Sequence, residues 1–521
     1  MEKDENCWHQ ICSQYQLCVS KLYIEMIPTG SGRASVNEHD IRYPVLRDGK
    51  TTPAASNAAF LGVASALPLF AVTVFPLSAI FQIGRGVIRS VLPTPNQPRP
   101  DSKYQVDETN LLPRHSRKYD IVLLGATGFT GKLSAQYLAK TYGVGNQVKW
   151  AIAGRSKSTM EKLKEELAKE LHQDEILKLD TIVVDTSVAA SMPGLVRDTR
   201  VVITTVGPFS LFGSSVVEFC AKFGTHYVDI TGETDWVRAM MEMWEATAQR
   251  TGAKLVALCG HDCIPWDLTV MMLADTLKEH KGEDLTAVTV TDEIVTAASG
   301  GTIATMLLGM NGKLVNPPKS DPFLRKGNSS RGVINKIPLS IFKTASPWTG
   351  ATSYGSPFVM SFINMQVVEW SQALRGGQVL EYSEYSLSPD FKTAFVSYAS
   401  LFLLVVCMMN PLTGSLIKKY FLPKPGEGPS RENMENKHFV SIHAEGVGSK
   451  GSKAEAVFYF PKCAYIGTAN MVVESGLCLA LEEDKLPVKD GGFFTSAVGL
   501  GQVLLNRLGK TGAYIAAKIK P

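Results

Sequence analysis

An apolar strand that runs into a glycine turn and then an amphipathic helix constrains this chain more than any other feature. Residues 119–131 read Tyr-Asp-Ile-Val-Leu-Leu-Gly-Ala-Thr-Gly-Phe-Thr-Gly, and the amphipathic pattern continues to about Tyr142. The free N–H groups and the positive dipole end of a helix that begins there attract phosphate. Glycine is needed where a diphosphate approaches the backbone and where a helix packs closely on a strand. The pattern therefore predicts a dinucleotide site, with a plain glycine turn as the alternative.

Apolar runs alternate regularly with helical patterns after residue 118, and this alternation predicts the fold class. Strands are expected at 119–124, 148–153, 181–184, 200–205, 226–230 and 253–258, and the clearest helical pattern is Ser158 to Leu171. Short strands separated by helices are typical of an α/β fold, here a Rossmann doubly wound parallel sheet. Right-handed crossovers bring the carboxyl ends of such strands to one edge of the sheet, where ligands bind.

The residues after the second expected strand bear on the choice of dinucleotide. An NAD site usually has a carboxylate about 20 residues after the glycines, whereas this chain has Arg155 and Ser156 in Ala-Gly-Arg-Ser. A guanidinium can pair with a 2′-phosphate, and the serine adds a hydroxyl donor. NADP(H) is therefore favoured over NAD(H), with an exposed loop arginine as the alternative. The predicted cofactor-binding residues are Gly125, Ala126, Thr127, Gly128, Phe129, Thr130, Gly131, Arg155, Ser156, Asp185, Val206, Gly207, Pro208 and Phe209.

Composition narrows the class of protein further. The 521 residues suit two to three domains, and a hydrophobic content of 45% is ample for sizeable cores. A net charge of +4 is too small to argue for nucleic acid as a partner. The nine scattered cysteines do not form a disulfide pattern, so a reducing compartment is expected. Cys7, His9, Cys12 and Cys18 lack a second ligand pair at a suitable distance, so no metal site is predicted.

Two apolar stretches bear on membranes. Residues 393–417 carry no charge, are long enough to span a bilayer, which takes about 20 apolar residues, and are followed by Lys418 and Lys419. A buried core helix is the alternative, but the stretch shows little of a polar stripe, so contact with a membrane or lipid droplet is predicted there. Residues 61–83 are also apolar but contain two prolines, and both interpretations stay open for them. The rest of 1–117 is predicted to be an irregular extension with a proline-rich linker.

Motifs along about four-fifths of the chain resemble the saccharopine dehydrogenase-like oxidoreductases, a family that includes the trans-acting enoyl reductases of lipid biosynthesis. The motifs that carry the resemblance lie at 125–131, 153–156, 206–213, 224–233, 260–267, 299–302, 422–429, 465–471 and 491–495. Two features depart from the family pattern. Residues 1–117 have no counterpart, and His261 and Cys263 stand where the family more often has Phe and Ser.

The resemblance implies a domain order and a location. A Rossmann domain at 118–264 would precede a smaller α+β substrate domain at 265–460, which includes the apolar segment 393–417, and residues 461–521 would return to the first domain. Some family members associate with lipid droplets or membranes. An intracellular membrane site (lipid droplet, endoplasmic reticulum or mitochondrion) is therefore expected, and a homodimer is compatible with the sequence. Residues 296–320 are mostly small and apolar, which suits an acyl chain.

The resulting hypothesis is an NADPH-dependent reductase of a small-molecule or lipid-like enoyl or acyl substrate. The predicted catalytic residues at the fifth and sixth strand ends are Tyr227, His261, which could act as an acid near neutral pH, and Asp262. Asp229 and Glu233 fit capping of the following helix better than catalysis. Two alternatives stay open: a non-catalytic NADP(H)-binding adaptor on lipid droplets or membranes, and a soluble saccharopine-type amino-acid dehydrogenase.

Overall fold

The computed structural model describes most of the chain after residue 110 and a short part before it. The described residues are 50–68, 70, 74, 76, 106, 111–145, 147–310, 321–324, 332–420, 422–424 and 426–521. They fall into two compact units, of which the smaller contains Pro338–Pro357 and Tyr385–Pro423 together with the described residues before 77. The predictions for Cys7, His9, Cys12 and Cys18, and for most of 69–105, lie outside the described residues.

The strands of the described residues are numbered in chain order. They are β1 (Tyr119–Leu124), β2 (Trp150–Gly154), β3 (Asp180–Val183), β4 (Thr199–Thr204), β5 (His226–Asp229), β6 (Lys254–Val256), β7 (Leu285–Val295), β8 (Val333–Asn335), β9 (Phe342–Ala345), β10 (Thr352–Ser356), β11 (Leu380–Ser388), β12 (Phe439–Gly448), β13 (Lys453–Phe460), β14 (Gly492–Phe494) and β15 (Tyr514–Ile519).

The helices from residue 129 onwards are numbered in the same way. They are α1 (Phe129–Tyr142), α2 (Lys157–Leu171), α3 (Met192–Val196), α4 (Phe209–Phe212), α5 (Ser214–Phe223), α6 (Thr234–Thr251), α7 (Ile264–Lys281), α8 (Gly300–Met310), α9 (Ser361–Arg375), α10 (Phe391–Met409), α11 (Pro411–Tyr420), α12 (Ala464–Leu481), α13 (Ser496–Gly499) and α14 (Gly501–Leu508).

The first sheet of the larger unit is parallel, with the strand order β14-β6-β5-β4-β1-β2-β3. Strand β1 lies between β2 and β4, and Leu124 at its end is paired with Ala153 and Thr204. Residues 121–124 are buried, as expected of a central strand covered on both faces. The predicted α/β class and Rossmann-type parallel sheet are confirmed, and each of the six expected strands is present within two or three residues of its predicted bounds.

A second sheet completes the larger unit. Its strands follow the order β15-β13-β12-β7-β11, and β8 pairs with the first residues of β11 in parallel. The β15–β13, β13–β12 and β12–β7 pairs are antiparallel, so this sheet is mixed. The C-terminal part of the chain contributes to both sheets, since β14 extends the first beside β6 and β15 pairs with β13 in the second.

The smaller unit contains β9, β10, the last residues of β11, the helix Asn57–Pro68 and helices α10 and α11. The apolar segment 393–417 is not one helix. Helix α10 ends at Met409, Asn410 has an extended backbone with φ −87° and ψ 127°, and α11 begins at Pro411. The break is expected because the residue before a proline avoids the helical conformation and proline has no N–H to donate.

Helix Asn57–Pro68 packs against the first half of α10. The rings of Phe60 and Phe395 lie 5.4 Å apart, and the N–H of Ala55 donates to Oγ1 of Thr393 at 2.8 Å. Asp390 caps α10, because its Oδ1 accepts the N–H of Thr393 at 2.9 Å. The described part of the 61–83 stretch is therefore helical as far as Pro68.

Two helices of the described residues are long and apolar enough to cross a membrane, α10 and α12. Length and composition are weak evidence by themselves, because a core helix passes the same test. In α12, 78% of the apolar window is buried, so it is a core helix, whereas only 33% of the corresponding window in α10 is buried.

Candidate functional site

Two of the three glycines in the turn after β1 pack so closely on neighbouring atoms that a side chain would clash. Gly125 has φ +87°, and a Cβ there would lie 2.7 Å from Cγ2 of Val206. A Cβ on Gly131 would overlap the carbonyl oxygen of Gly125. By contrast, a Cβ on Gly128 would have that oxygen as its nearest neighbour at 3.4 Å, an ordinary contact. Close packing within the protein therefore accounts for glycine at 125 and 131. At 128 the fold leaves room for a Cβ on the outer side of the loop.

The first turn of α1 has the amides that a diphosphate needs. Gly128 is the N-cap residue, with extended backbone and no side chain that caps the helix. The first N–H groups of a helix have no acceptor within the helix, so those of Phe129, Thr130 and Gly131 are free for an anion. The loop residue Ala126 is buried, and Thr127 is half-buried. These residues fit the diphosphate of a dinucleotide.

The predicted 2′-phosphate residues lie on the surface at the end of β2. Arg155 and Ser156 are exposed, and Ser156 is the N-cap of α2, where its Oγ accepts the N–H of Thr159 at 3.3 Å. Hydrogen bonds from the hydroxyl and N–H of Ser187 hold the pKa of Asp185 below its ordinary value, and Arg155 adds a smaller effect. Arg155 and Asp185 both lie at this edge of the sheet, because they come just after Gly154 and Val183, which pair in the register of β2 and β3.

The side chain of Glu233 holds the end of the loop 206–209. The buried Glu233 accepts the N–H of Phe209 at 2.8 Å and the N–H of Ser210 at 3.0 Å, so it binds the start of α4. It makes no side-chain cap of α6, the helix that follows it, and that prediction is wrong. Gly207 and Pro208 are joined by a cis peptide bond within this loop.

Asp229 and Tyr227 are internal to the fold. The hydroxyl of Tyr227 donates to Oδ2 of Asp229 at 2.7 Å, and Oδ1 of Asp229 accepts the N–H groups of Thr231 and Leu258 at 3.1 and 2.8 Å. Burial raises the pKa of Asp229 to about 6. The carboxyl ties the end of β5 to the loop after β6, where Leu258 has φ +62°. Asp229 therefore does not cap the following helix as predicted, and we assign Tyr227 a structural role because it is buried and its hydroxyl is committed.

His261 and Asp262 lie in the loop between β6 and α7, at the carboxyl end of the parallel strands. Burial lowers the pKa of His261 to about 3, and its Nδ1 has no hydrogen-bond partner in the described part of the chain. The predicted role of His261 as an acid near neutral pH is therefore not supported, because the ring stays neutral. Loss of hydration raises the pKa of Asp262 to about 6, although part of its surface stays exposed.

Three segments that the sequence did not predict as part of the site meet at this edge. They contain Ser299 and Thr302, Gly428, and Tyr465 and Thr468 at the start of α12. Tyr465 packs edge-on against Phe129 of the glycine loop, with 5.3 Å between the ring centroids. A Cβ on Gly428 would overlap the Phe129 ring from another side. Thr468 accepts the N–H of His261 through Oγ1 at 3.0 Å.

Ser299 and Thr302 join the same group through the hydroxyl of Tyr465. That oxygen accepts the N–H of Ser299 at 2.7 Å and lies 2.7 Å from Oγ1 of Thr302. Sequence reasoning could not place these side chains together, since more than 160 residues separate Tyr465 from both partners. The only signal was that both segments belong to motifs of the resemblance.

The described residues contain one group that could hold a metal ion: His443, Glu445 and Glu455, whose ligand atoms all lie within 4.8 Å of one another. Both carboxylates are already paired with lysines. Glu455 lies 3.3 Å from Lys518, and Glu445 lies 2.5 Å from Lys520. We assign no metal to this group.

Comparisons with known proteins agree with this geometry. Residues 121–257 match the family described as saccharopine dehydrogenase NADP binding domain. A trans-acting enoyl reductase of Mycobacterium ulcerans is 32% identical over 433 residues, which cover 77% of this chain and 98% of that protein. The chain belongs to the saccharopine dehydrogenase-like oxidoreductase family. It is an NAD(P)H-dependent oxidoreductase, as the sequence analysis predicted.

Two further matches cover similar shares of the chain. A trans-acting enoyl reductase of Mycobacterium tuberculosis is 31% identical over 435 residues, covering 76% of this chain and 97% of that protein. Among solved structures, the saccharopine dehydrogenase (L-Glu forming) of Saccharomyces cerevisiae matches with a TM-score of 0.44 at 12% identity, over 77% of this chain and 99% of that one.

Proposed function

We propose that this oxidoreductase uses NADPH to reduce the carbon–carbon double bond of an enoyl group on a lipid-like substrate at a membrane or lipid-droplet surface. The observation that carries the proposal is the position of the glycine loop 125–131, which lies against Tyr465 with Ser299 and Thr302 beside it. A coenzyme loop and polar groups from the second part of the chain thus share one edge of the sheet. The printed names of the relatives as trans-acting enoyl reductases support the choice of an enoyl group.

When bound, NADPH would supply the hydride. The chain must hold the diphosphate, keep the acceptor carbon within about 3–3.5 Å of the donor, polarise the carbonyl and deliver a proton. Among the predicted catalytic residues Asp262 fits best, because its pKa of about 6 leaves a protonated fraction near neutral pH. We assign no proton delivery to Tyr227, because its hydroxyl donates to Asp229, or to His261, because its ring stays neutral.

The preference for NADPH over NADH rests on Arg155. It is exposed at the end of β2, where a guanidinium can pair with a 2′-phosphate, and the hydroxyl of Ser156 lies next to it. The neighbouring carboxylate of Asp185 reduces the net positive charge of this edge. The size of the preference therefore depends on the balance of these two side chains.

Contact with a membrane or lipid droplet rests on α10 and α11. Three aromatic residues of α10 remain exposed in the protein, Phe391 at 45%, Tyr398 at 37% and Phe402 at 45%. Lys418 and Lys419 at the end of α11 would face anionic headgroups. Since α10 and α11 are separated by the break at Asn410, we favour helices that lie in the interface over a single span.

The test is a spectrophotometric assay of NADPH oxidation by the purified chain with a trans-2-enoyl thioester of medium chain length. Saccharopine with NADP⁺, and NADPH without an acceptor, serve as controls. We expect NADPH oxidation when the enoyl thioester is present, and no reaction in either control. Tight binding of NADPH without turnover of any acceptor would support the adaptor, and turnover with saccharopine would support the amino-acid dehydrogenase.

A further inference from the structure

The hydroxyl of Tyr465 lies in a short chain of hydroxyl groups at the sheet edge. Its oxygen accepts the backbone N–H of Ser299 at 2.7 Å and lies 2.7 Å from Oγ1 of Thr302. Oγ1 of Thr302 in turn lies 3.3 Å from Oγ of Ser299. Ser299 is buried, Tyr465 is half-buried and Thr302 is exposed, so the chain connects the site to solvent.

The position of Tyr465 ties this chain to the coenzyme loop and to the loop after β6. Its ring lies edge-on against Phe129, the first residue of α1, at 5.3 Å. Asp262 follows His261 in the loop after β6. Three residues along α12, Thr468 accepts the N–H of His261, which fixes the start of α12 to the end of the first sheet. The phenol therefore lies where the coenzyme loop and the predicted acid Asp262 come together.

The hydrogen bonds of the Tyr465 oxygen can leave its proton available for a bound ligand. A phenol oxygen can accept hydrogen bonds and donate one. The N–H of Ser299 can only donate, so the oxygen is an acceptor there. When Thr302 also donates to the oxygen, the phenol proton is free for a ligand. Burial raises the pKa of Tyr465 above its ordinary value, so the group keeps its proton at neutral pH.

We propose that Tyr465 is a catalytic residue, whose hydroxyl donates a hydrogen bond and then a proton to the carbonyl oxygen of the enoyl substrate, and that Thr302 relays the replacing proton from solvent. The inference rests on the proposed function, because it requires an acyl carbonyl in the site. It assigns the role of carbonyl polarisation to a residue outside the predicted catalytic set.

The β-carbon of the substrate gains a hydride, the π pair of the double bond shifts to the bond between the α-carbon and the carbonyl carbon, and the carbonyl π pair moves onto oxygen. That oxygen takes the proton of Tyr465, which gives an enol. The Tyr465 oxygen regains a proton from solvent through Oγ1 of Thr302. The α-carbon then takes a proton from Asp262, which solvent replaces, while the enol O–H proton is released to solvent. The net change is the addition of one hydride and one proton.

The test compares Tyr465→Phe with Tyr137→Phe as a matched control. Phenylalanine at 465 keeps the ring against Phe129 and removes only the hydroxyl. Tyr137→Phe also removes a half-buried hydroxyl, which donates to Glu474 at 2.6 Å, nine residues after Tyr465 on α12. With a trans-2-enoyl thioester, Tyr465→Phe should lower kcat by about 10²–10³-fold, as for loss of one oxyanion donor, with little change in KM. Tyr137→Phe should leave kcat unchanged.

A second measurement does not depend on turnover. A saturated acyl thioester with a ¹³C-labelled carbonyl is bound to the protein without coenzyme, and its carbonyl stretch is read by isotope-edited infrared difference spectroscopy. In the wild type and in Tyr137→Phe the hydrogen bond from Tyr465 should shift the stretch to lower wavenumber, and in Tyr465→Phe that shift should disappear.

The outcomes separate the two proposals. If the wild type reduces the enoyl thioester and Tyr465→Phe retains both kcat and the carbonyl shift, the inference is overturned and the proposed function stands. If the wild type neither binds nor reduces any acyl thioester, although it binds NADPH, the proposed function fails and the role of Tyr465 fails with it.

Discussion

Gly128→Ala separates the requirements of the fold from those of the coenzyme. A Cβ at Gly128 would meet only the Gly125 oxygen, at 3.4 Å, and the backbone of Gly128 (φ −75°, ψ 169°) is one that alanine adopts readily. Stiffening the unfolded chain stabilises such a variant by about 0.4–1 kcal/mol. Alanine is a poorer N-cap than glycine by about 1 kcal/mol or less. These effects oppose each other, so the free energy of unfolding should stay within about 1 kcal/mol of the wild type.

Coenzyme binding should respond very differently. The added methyl group would occupy the outer side of the loop, where the diphosphate must approach the first N–H groups of α1. A hydrogen bond to a charged group contributes about 1.5–3 kcal/mol, so loss of one such bond predicts NADPH affinity lower by about 10–100-fold. Affinity is measured by fluorescence titration with NADPH, and stability by urea unfolding.

Gly131→Ala is the matched control, because its Cβ would overlap the Gly125 oxygen inside the protein. That variant should lose stability as well as affinity. If Gly128→Ala binds NADPH within about twofold of the wild type, a change of under about 0.5 kcal/mol, the diphosphate does not lie on this loop as we describe it.

Three further predictions concern the coenzyme, pH and membranes. Arg155→Asp should lower the affinity for NADPH far more than the affinity for NADH in a titration. Lys162→Asp, the same charge change on the exposed side of α2, should not discriminate between the coenzymes. Equal losses of affinity for both coenzymes in Arg155→Asp would remove Arg155 from this role. Burial raises the pKa of Glu384 to about 7, above the ordinary value of about 4.3. The folded state therefore holds the proton more tightly, and wild-type stability should fall as pH rises through that window. Urea unfolding across the window should show a weaker decline for Glu384→Gln, and an equal decline would refute the assignment. Phe402→Asp should reduce flotation of the protein with anionic vesicles, and unchanged flotation would argue against contact through α10.

The first sheet and its glycine loop could be predicted because their signals are local. Helix α1 has the bounds that the sequence suggested, since glycines at 128 and 143 mark its two ends. The strands of the first sheet are short apolar runs that turn residues separate. Strand β14 was not foreseen as a strand of this sheet, because three residues, Gly492–Phe494, carry no periodic pattern.

The parts that were missed depend on contacts between distant residues. The sequence contains no sign that Glu233 binds the amides of Phe209 and Ser210 instead of capping its own helix. The contact of Tyr465 with Phe129 joins residues more than 330 positions apart. The burial that keeps His261 neutral is likewise a property of the folded protein. The break in the apolar segment, by contrast, has a local signal, because Pro411 and the residue before it interrupt a helix.

Whether a pyridine nucleotide binds at the glycine loop can be measured by isothermal titration calorimetry of the purified wild-type chain with NADPH and with NADH. We expect saturable heat for one coenzyme per chain, with tighter binding of NADPH, and an affinity lower by about 10–100-fold in the folded Gly128→Ala variant. Absence of heat with either coenzyme, or full binding by the folded Gly128→Ala protein, would contradict this expectation.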